Sequence, residues 1–301
     1  MSVGEAGAGV ADHTAAGDVN TEDVITDDDG SDGFSVGERV LLVDRKARRN
    51  VITLAVGGEF HSHTGVISHD DLLGAPEGTQ VRSTRGAAFV AMRPTLADFI
   101  VEMPRGAQVI YPKDLGQILM MADIAAGQRV LESGVGSGAL SMALLRAGAD
   151  VTGFELREDF ARKAQTNVAA FCGTQVATQR YHVHVHDIYE GVPVGHRAFD
   201  RVVLDLPEPW RVVGHAVDAL RRGGIFLAYL PTVNQTHTLR RALDEHGFSS
   251  AQTVEVMLRT WHVTEQSVRP DHRMVAHTGF LTAARWLGPQ EGPVSAPPPP
   301  A

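Results

Sequence analysis

Cysteine is nearly absent from this chain of 301 residues, and no apolar stretch approaches the roughly 20 residues that a membrane-spanning helix needs. Cys172 is the single cysteine, which excludes an intrachain disulfide framework and is typical of a reducing compartment. The first residues, MSVGEAGAGVADH, contain neither a basic start nor a long apolar segment, so we expect no secretory signal. These absences predict a cytoplasmic protein that does not associate with a membrane.

Positive charge is missing from residues 1–33, which contain nine acidic side chains and no Lys or Arg. They account for the formal net charge of −9, because the other 27 acidic residues balance 27 Lys and Arg. The neutral remainder neither favours nor excludes a nucleic-acid partner. Large apolar residues are also scarce in residues 1–33, so we expect a disordered acidic tail there and a second tail in the Pro-rich residues 288–301.

Two kinds of secondary-structure pattern divide the rest of the chain. Residues 34–100 contain short apolar runs between turn residues, such as RVLLVD at 39–44, which indicate a small β domain. Further along, predicted strands alternate with helices, which is typical of a parallel sheet covered by helices. We therefore predict an α/β fold with a small N-terminal β domain at 34–100 and a larger α/β domain at 101–287. At its end, Thr253–Val263 and residues 273–285 are predicted to pair as an antiparallel hairpin.

A glycine-rich turn follows the first predicted strand of the larger domain. The strand RVLESGV leads through Gly134, Gly136 and Gly138 into a predicted helix. Glycine permits a tight turn and lets the backbone approach a ligand closely. A second strand ends at Glu155, 19 residues beyond Gly136, near the spacing at which an acid binds ribose hydroxyl groups. This order predicts a nucleoside-containing cofactor; a structural turn with a solvent-exposed Glu155 is the alternative.

The acids around this turn indicate which cofactor is bound. Glu132 ends the first strand, where it would repel a pyrophosphate and attract a cation such as an ammonium or sulfonium group. The resulting E-x-G-x-G-S-G pattern resembles motif I of class I methyltransferases. In such an enzyme Asp187, after the strand YHVHVH, would contact the adenine amine of the cofactor, and Phe160 would pack on its adenine ring. A place in the core is the alternative for Phe160.

The segment FDRVVLDLPEPW at 199–210 is the most specific stretch of the chain. Ligands of open parallel sheets lie outside the carboxyl ends of the strands, so we expect Asp205 to face the reaction crevice. The prolines stiffen the loop that follows, and Trp210 offers a flat surface for a base. The loop resembles the D/N-P-P-Y loop of adenine methyltransferases, in which an acceptor binds an exocyclic amine. A simple loop cap is the alternative role for Asp205.

Five segments, in this order along the chain, carry a resemblance to one family. They are RGAQVIYPKDLGQIL (105–119), LESGVGSGAL (131–140), LDLPEPW (204–210), AYLPTVNQ (228–235) and RPDHRMVAHTGFLTAAR (269–285). Together they resemble the tRNA (adenine-N1)-methyltransferase family that modifies the T-loop adenosine at position 58, over residues 34–287. The resemblance implies a Rossmann-like class I methyltransferase with a seven-stranded sheet, S-adenosylmethionine as cofactor and tRNA as substrate. It also implies a homotetramer, which is typical of bacterial members.

The same resemblance assigns site residues. It implies that the target adenine lies against Tyr111, Asp205 and Tyr229, with Asp205 as the catalytic acceptor of the amine; core positions are the alternative for the tyrosines. It implies that the cofactor contacts Gln117, Gly134, Gly136, Ser137, Gly138, Ala139, Leu140, Glu155, Asp187 and Asp205. Ser133 and Val135 stand where the family more often has Ala, Thr or Gly, and we do not expect them to block the cofactor.

Two other functions fit the same cofactor motifs. One is methylation of a small molecule or a protein, and the D-L-P-E-P-W loop and the extra β domain argue against it. The other is a catalytically silent tRNA-binding subunit, in which the glycines and Asp205 are expected to decay. His182, His184 and His186 share one face of a predicted strand, which we attribute to packing and not to a metal site. The four cations of residues 45–49 either bind tRNA phosphates or belong to a solvated turn.

Overall fold

The described part of the chain excludes most of both predicted tails. The computed structural model describes residues 33–103, 106, 108–193 and 195–289. The predicted acidic and Pro-rich tails lie outside the described residues, apart from Gly33, Gly288 and Pro289. Within the described ranges, no helix combines the length and the apolar character needed to cross a lipid bilayer.

An antiparallel four-stranded sheet and a separate hairpin form the N-terminal part. The strands are β1 (Arg39–Asp44), β2 (Arg49–Thr53), β3 (Glu59–Ser62), β4 (Gly65–Ser68), β5 (Gln80–Arg82) and β6 (Ala88–Met92). The sheet order is β2-β1-β6-β5, and β3 pairs with β4. Alternate apolar side chains of β1 and β6 form a separate core with Phe34 and Leu54. The predicted small N-terminal β domain is confirmed, and the β3–β4 hairpin adds to the strands that were predicted.

A seven-stranded sheet flanked by helices forms the larger part. Its elements are α1 (Leu96–Glu102), α2 (Pro112–Met121), β7 (Arg129–Ser133), α3 (Ala139–Arg146), β8 (Asp150–Glu155), α4 (Glu158–Cys172), α5 (Thr174–Gln179), β9 (Tyr181–Val185), β10 (Phe199–Leu204), α6 (Val213–Ala219), β11 (Leu220–Leu230), α7 (Val233–Glu245), β12 (Phe248–Glu255), β13 (Trp261–Thr264), β14 (Ser267–Pro270) and β15 (Phe280–Trp286). The sheet order is β12-β15-β11-β10-β7-β8-β9. The strands β7 to β11 run parallel, whereas β15 is antiparallel to β11 and β12. The predicted Rossmann-like class I methyltransferase sheet is confirmed.

The central strands are apolar because helices cover both faces of the sheet. β7 and β10 are buried over nearly their whole length, as expected for a parallel sheet. One face packs against α2 and α3, and all side chains from Ala139 to Leu145 of α3 are buried there. The other face packs against α6 and α7. The strand order reverses between β7 and β10, so their carboxyl ends lie side by side at the point where such sheets bind ligands.

The end of the sheet differs from the predicted hairpin. β12 stops at Glu255 instead of continuing to Val263, and β15 begins only at Phe280. Residues 256–279 leave the sheet as an arm, within which β13 and β14 form a hairpin of their own. The predicted antiparallel pairing is confirmed where Thr253, Val254 and Glu255 lie opposite Thr282, Leu281 and Phe280. Its predicted extent was wrong because apolar residues continue through MLRTWHV, so the pattern does not mark where the chain leaves the sheet. Trp261 on the arm is exposed.

Candidate active site

A cavity of about 450 Å³ opens at the carboxyl ends of β7, β8 and β10. This volume is in the range of small-molecule sites. The lining residues are Gln108, Val109, Ile110, Ser133, Gly134, Val135, Gly136, Ser137, Ala139, Leu140, Phe154, Glu155, Leu156, Arg157, His186, Asp187, Ile188, Tyr189, Asp205, Leu206 and Pro207. Eight of the predicted cofactor residues are among them, namely Gly134, Gly136, Ser137, Ala139, Leu140, Glu155, Asp187 and Asp205. The cavity therefore brings together most of the predicted cofactor site.

Glycine is required where the loop after β7 passes the loop after β10. Gly134 has a φ of +81°, and a Cβ at this position would lie 2.0 Å from the backbone oxygen of Asp205. The Asp205 amide donates to the oxygen of Ser133 at 2.9 Å, which keeps the two backbones together. Gly138, with a φ of +85°, caps the start of α3. The close approach fixes Asp205 directly against the glycine loop.

Glu155 holds the other side of the glycine loop. Its carboxylate accepts hydrogen bonds from the backbone amides of Gly136 at 3.0 Å and Arg157 at 3.1 Å. The residue is only 7% exposed, which excludes the alternative of a solvent-exposed turn residue. A buried carboxylate at a cavity wall has lone pairs that accept from the hydroxyl groups of a ligand. The position is therefore suited to a ribose.

Asp205 is a cavity carboxyl group with a raised pKa. Burial, and after it the charge of Glu155, raises the pKa of Asp205 to about 7. Such a shift is typical of groups at functional sites, where burial disfavours the charged form. A cation bound beside Asp205 would favour the ionised form of this carboxyl group. The site is therefore suited to a positively charged ligand.

Side chains from other elements hold the D-L-P-E-P-W loop. Nε2 of Gln235 donates to the oxygen of Pro207 at 3.0 Å, and the amide of Glu208 donates to the hydroxyl of Tyr189 at 3.1 Å. Because these bonds fix the loop, its first residue is not needed as a cap. Trp210 packs against the core that contains α6 and α7 and is absent from the cavity lining. Its predicted role as a surface for a base is not supported.

The predicted adenine-binding acid begins a short 3-10 helix. Oδ1 of Asp187 accepts from the amide of Tyr189 at 3.0 Å, where this helix, Ile188–Glu190, starts. The apolar side chain of Ile188 follows in the cavity wall. An acid next to an apolar surface is the combination that binds a purine with an exocyclic amine.

The three histidines in and directly after β9 differ in their exposure. His182 and His184 are exposed, because β9 is the edge strand of the sheet. The expected packing is therefore wrong for His182, whereas the ring of His184 stacks on Phe154 with 5.5 Å between the centroids. His186 lines the cavity, and its Nε2 lies 3.0 Å from the oxygen of Gly191. In the described ranges, no group of His, Cys, Asp and Glu side chains could hold a metal ion.

Tyr229 lies on β11, on the side of β10 away from the glycine loop. Burial raises the pKa of Tyr229 to about 12, and the nearby Asp114, Asp205 and Tyr111 add to this rise. The hydroxyl of Tyr229 donates to the oxygen of Thr278 at 2.5 Å. Tyr111 is the N-cap residue of α2, directly before Pro112. Asp205 and Tyr229 directly follow Leu204 and Ala228, which lie opposite each other on adjacent strands, although only Asp205 lines the cavity.

Three predicted cofactor residues are outside the cavity lining. Gly138 sets the start of α3, as described above. Gln117 is half-buried on α2. Phe160 is buried, and the guanidinium carbon of Arg157 lies 3.4 Å from its ring centroid. Phe160 thus packs against the guanidinium group of Arg157 and does not line the cavity. This agrees with the alternative prediction that Phe160 is a packed side chain.

Glu132 does not provide the predicted attraction for a cation. The residue is fully buried and is not part of the cavity lining. Burial raises the pKa of Glu132 to about 8, so the group is mostly protonated at neutral pH. Oγ of Ser141 donates to its Oε2 at 2.7 Å and lies 3.0 Å from the hydroxyl of Tyr181. Glu155 and Asp205 are the carboxyl groups that a ligand would meet.

Several cavity residues were missed by the sequence analysis. Residues 108–110 precede α2 and belong to a segment used for the family resemblance, but they form no motif of their own. Leu156 and Arg157 follow Glu155 directly, and Tyr189 lies two positions after the predicted acid of β9. Adjacency is the signal that could have found them, because a strand that ends at a cavity places its next two residues at the mouth.

Ion pairs occupy part of the basic cluster at residues 45–49. Arg48 pairs with Asp44, and Arg49 pairs with Asp98. Arg45 and Lys46 are exposed. Two of the four cations therefore have acidic partners within the chain, which favours the reading of a solvated turn for that half of the cluster.

Comparisons with known proteins agree with the cavity and the fold. The family model of the tRNA methyltransferase complex GCD14 subunit matches residues 88–277, and the TrmI-like N-terminal model matches residues 33–81. The chain is 38% identical to the tRNA (adenine(58)-N(1))-methyltransferase TrmI of Thermus thermophilus. The match extends over 249 residues and covers 82% of this chain and 96% of that relative.

Two solved structures extend the likeness to three dimensions. One is described as a SAM-dependent O-methyltransferase from Thermotoga maritima, with a TM-score of 0.81 and 32% identity over 87% of this chain and 98% of that one. The other is the tRNA (m1A58) methyltransferase TrmI from Aquifex aeolicus, with a TM-score of 0.74 and 30% identity over 84% of this chain and 98% of that one. On the strength of these matches, the chain belongs to the tRNA (adenine-58-N1)-methyltransferase family.

Proposed function

We propose that this protein transfers the methyl group of S-adenosylmethionine to N1 of an adenine in tRNA, namely the T-loop adenosine at position 58. One observation carries the proposal: Asp205, a buried carboxyl group, is held by backbone contact against the glycine loop and has Tyr229 as a neighbour on its other side. A donor and a base that meet at Asp205 would be in contact with each other. The family relationship gives the class of both.

The cavity fits the cofactor that the family and the fold imply. The backbone of Gly134 and Gly136 leaves room where side chains would intrude, and the carboxylate of Glu155 is placed for ribose hydroxyl groups. Ser137 has a buried Oγ without a protein partner in the cavity wall, so a ligand's polar group would satisfy it. We expect Asp187 and Ile188 to contact the adenine of the cofactor. When bound, S-adenosylmethionine supplies a methyl group activated by the positive charge of its sulfur.

Orientation is the main task of the residues that meet the base. N1 of adenine carries no proton, so no general base is needed before transfer. Alignment of the reacting atoms contributes up to roughly 7–11 kcal/mol. Positive charge develops on the adenine ring during transfer, and the ionised carboxylate of Asp205, which accepts from the N6 amine, stabilises it. Tyr111 and Tyr229 orient the ring.

The substrate must present its base to this crevice. N1 lies on the Watson–Crick edge, so the adenine has to leave its stack at a cost of a few kcal/mol. Shape and phosphate contacts on the rest of the tRNA offset this cost. Arg45 and Lys46, which are exposed, and the N-terminal β domain are our candidates for such contacts. Methylation would then take place in the cytoplasm, on free tRNA.

We also propose that the protein is a homo-oligomer, with the tetramer of the family as the specific expectation. Its arm exposes apolar side chains that a monomer would leave in water, namely Met257, Leu258, Trp261, Val263, Val268, Met274 and Val275. Val263 lies opposite Val268, and Leu258 lies opposite Val275, and exposed apolar side chains that lie next to one another are typical of an interface. A second copy of the chain is the partner that a symmetric assembly supplies.

The silent-subunit alternative does not account for the intact site. Gly134, Glu155 and Asp205 are present and enclose one cavity, whereas a subunit that only binds tRNA has no need of a close-packed glycine loop. The small-molecule alternative leaves the N-terminal β domain without a role. We retain both as outcomes of the experiment below.

The decisive experiment supplies an unmodified tRNA transcript and S-adenosylmethionine with a labelled methyl group, followed by nucleoside analysis. We expect label in N1-methyladenosine, and none when adenosine 58 of the transcript is replaced by uridine. Label in an O-methylated or any other nucleoside would overturn the assignment to N1. Label at a neighbouring adenine would move the position, tRNA binding without label would favour the silent subunit, and label only in protein or small molecules would exclude tRNA as substrate.

A further inference from the structure

A buried polar cluster joins the start of α2 to the base of the arm. Nζ of Lys113 donates to Oδ1 of Asp114 at 2.8 Å, to the oxygen of Val256 at 2.6 Å and to Oγ1 of Thr278 at 2.5 Å. Thr278 in turn donates from Oγ1 to Oδ2 of Asp114 at 2.6 Å. The side chains of Lys113 and Asp114 are 3% and 0% exposed. We call Lys113, Asp114 and Thr278 the clamp.

The clamp holds both ends of the arm. Val256 is the first residue after β12, and Thr278 lies two residues before β15. One ammonium group therefore binds the outgoing and the returning chain at once. All three of its protons have acceptors, and Thr278 both accepts and donates, so each polar group of the clamp is satisfied. A fully satisfied network specifies one arrangement, whereas a partly satisfied one does not.

Tyr229 is fixed by the same end of the arm. Its hydroxyl donates to the oxygen of Thr278 at 2.5 Å. Its ring packs so closely on the next residue that a Cβ on Gly279 would lie 2.5 Å from Cζ and 2.8 Å from the hydroxyl oxygen. Tyr111, at the start of α2, is two residues before Lys113. The clamp thus connects the backbone segments that carry or contact both tyrosines of the proposed base pocket.

We propose that Lys113, Asp114 and Thr278 are positioning residues for the target base, and that Gly279 is the surface against which they set Tyr229. This inference rests on the proposed function. The hydroxyl of Tyr229 has one proton, which it donates in the hydrogen bond to the backbone oxygen of Thr278. The hydroxyl oxygen therefore presents only lone pairs to the crevice. Together with ionised Asp205 it makes a wall of acceptors, which fits the N6 amine of adenine and rejects the O6 acceptor of guanine.

A purely structural role explains the clamp less well. A buried ion pair contributes little net stability compared with apolar residues of the same volume, because the desolvation of both charges offsets their attraction. A pair of this kind, placed two residues from Tyr111 and bonded to the neighbour of Tyr229, is better explained by the orientation that it imposes. If the clamp orients the tyrosines, its loss should lower turnover and leave donor binding intact. A defect in folding would lower both.

The first test compares Thr278→Val with Thr278→Ser. Valine keeps the shape of the side chain but removes the hydroxyl that accepts from Lys113 and donates to Asp114. Serine keeps this hydroxyl. We expect kcat for tRNA to fall about 10- to 100-fold in the valine variant, since a misplacement of about 1 Å costs up to that much. Donor affinity, measured by calorimetry, should stay within twofold of the wild type, and the serine variant should recover kcat. Unchanged kcat in Thr278→Val, or an equal loss in Thr278→Ser, would overturn the inference.

The second test asks whether the clamp acts through Tyr229. In a Tyr229→Phe background, Thr278→Val should have little further effect on kcat, because the group that it positions is already gone. Gly279→Ala, which removes no polar group, should lower kcat in the wild-type background by displacing the tyrosine ring. Losses that multiply in the double variant would show that Thr278 acts elsewhere and would sink the proposal.

A readout without catalysis separates this inference from the proposed function. The chain has four tyrosines, so 3-fluorotyrosine labelling gives four 19F signals, and the one missing in Tyr229→Phe belongs to Tyr229. Thr278→Val should shift or broaden that signal while Thr278→Ser leaves it in place. If wild-type protein fails to methylate tRNA, the proposed function fails even where this shift is seen. If the wild-type protein methylates tRNA but the Tyr229 signal does not respond to Thr278→Val, only the inference about the clamp is contradicted.

Discussion

The donor side of the crevice and its acceptor side differ in how far apart along the chain their parts lie. The donor side consists of the glycine loop, Glu155 and Asp187, all within three successive strand ends. The acceptor side joins Tyr111 and Asp205 to Tyr229, and its clamp bonds Lys113 to Thr278 across 165 residues. A local motif is thus enough to specify where a donor binds, whereas the place of the base depends on contacts made only in the folded chain.

The largest effect that we expect on donor binding is for Gly134→Ala, on the donor side of the crevice. The new Cβ would lie 2.0 Å from the Asp205 oxygen, at a φ of +81°. Positive-φ strain and overlap with a backbone atom together cost about 2–5 kcal/mol. Displacement of the loop relieves this cost, so donor affinity should fall about 100-fold or more, at about 1.4 kcal/mol for each factor of ten. Calorimetric titration with S-adenosylmethionine measures the loss.

The matched control for this change is Gly116→Ala on α2. No heavy atom lies within 4 Å of a Cβ there, and alanine favours a helix by up to about 1 kcal/mol over glycine. Donor affinity should therefore be unchanged and the melting temperature equal or higher. If Gly134→Ala binds the donor as well as Gly116→Ala does, the glycine loop is not the donor site.

On the acceptor side, Asp205→Asn should separate binding from transfer. Asparagine keeps the shape and an oxygen acceptor but loses the charge that stabilises the methylated ring. Removal of a group that acts mainly in the transition state typically costs about 100- to 1000-fold in kcat. Donor affinity should change little by comparison. Single-turnover methylation of tRNA with saturating donor measures the effect, and an unchanged rate would remove Asp205 from its proposed role.

The pH dependence of transfer tests the same carboxylate without a mutation. Because burial raises the pKa of Asp205 to about 7, the ionised form that the reaction needs is lost as the pH falls below that value. The single-turnover rate should drop about tenfold per pH unit on the acid side and level off on the alkaline side. Bound donor cation lowers this midpoint. In Asp205→Asn the profile should be flat over the same range; a midpoint that persists belongs to another group.

The donor side could be predicted from the sequence because each of its parts is a short pattern. Gly134, Gly136 and Glu155 follow from a strand, a tight turn and a second strand, and the seven-stranded sheet follows from the alternation of strands and helices. The state of Glu132 could not be predicted, since its burial is decided by how α3 packs over β7. The prediction that Trp210 offers a surface for a base failed for the same reason. The packing of this side chain against the α6 and α7 core determines which way its ring faces.

On the acceptor side, Asp205 was predicted from its place at the end of a strand, whereas Tyr111 and Tyr229 were predicted only through the family resemblance. Nothing in the sequence around Lys113 indicates that its partners are Val256 and Thr278, because long-range pairing is fixed by the sheet and not by local spacing. The arm shows the same limit. Its apolar alternation continues that of β12, and only the competing contact of Val256 with Lys113 shows where the strand ends.

A stability measurement sharpens the comparison on the acceptor side. Lys113→Met leaves Asp114, which is fully buried, without its cation, and the loss of one partner of a buried ion pair typically costs about 3–5 kcal/mol. Lys46→Met changes an exposed lysine and should stay within about 0.5 kcal/mol of the wild type. Urea unfolding measures both. A cost for Lys113→Met as small as that of Lys46→Met would show that Asp114 is not held by this charge.

The smallest effect concerns Glu132, behind the donor loop, and its dependence on pH. Burial raises the pKa of Glu132 from 4.5 to about 8, so the folded protein retains a proton that the unfolded chain releases. The stability that this group contributes is full below pH 4.5 and declines as the pH rises toward 8, by at most about 1.4 kcal/mol per pH unit. Glu132→Gln cannot release a proton and can still accept from Ser141. Between pH 6 and 8 the wild type should therefore lose more stability than Glu132→Gln in urea unfolding, while the contribution of Asp205 is common to both. Parallel pH curves would mean that Glu132 titrates as it does in the unfolded chain, and the donor loop would then rest on a charged group and not on a neutral one.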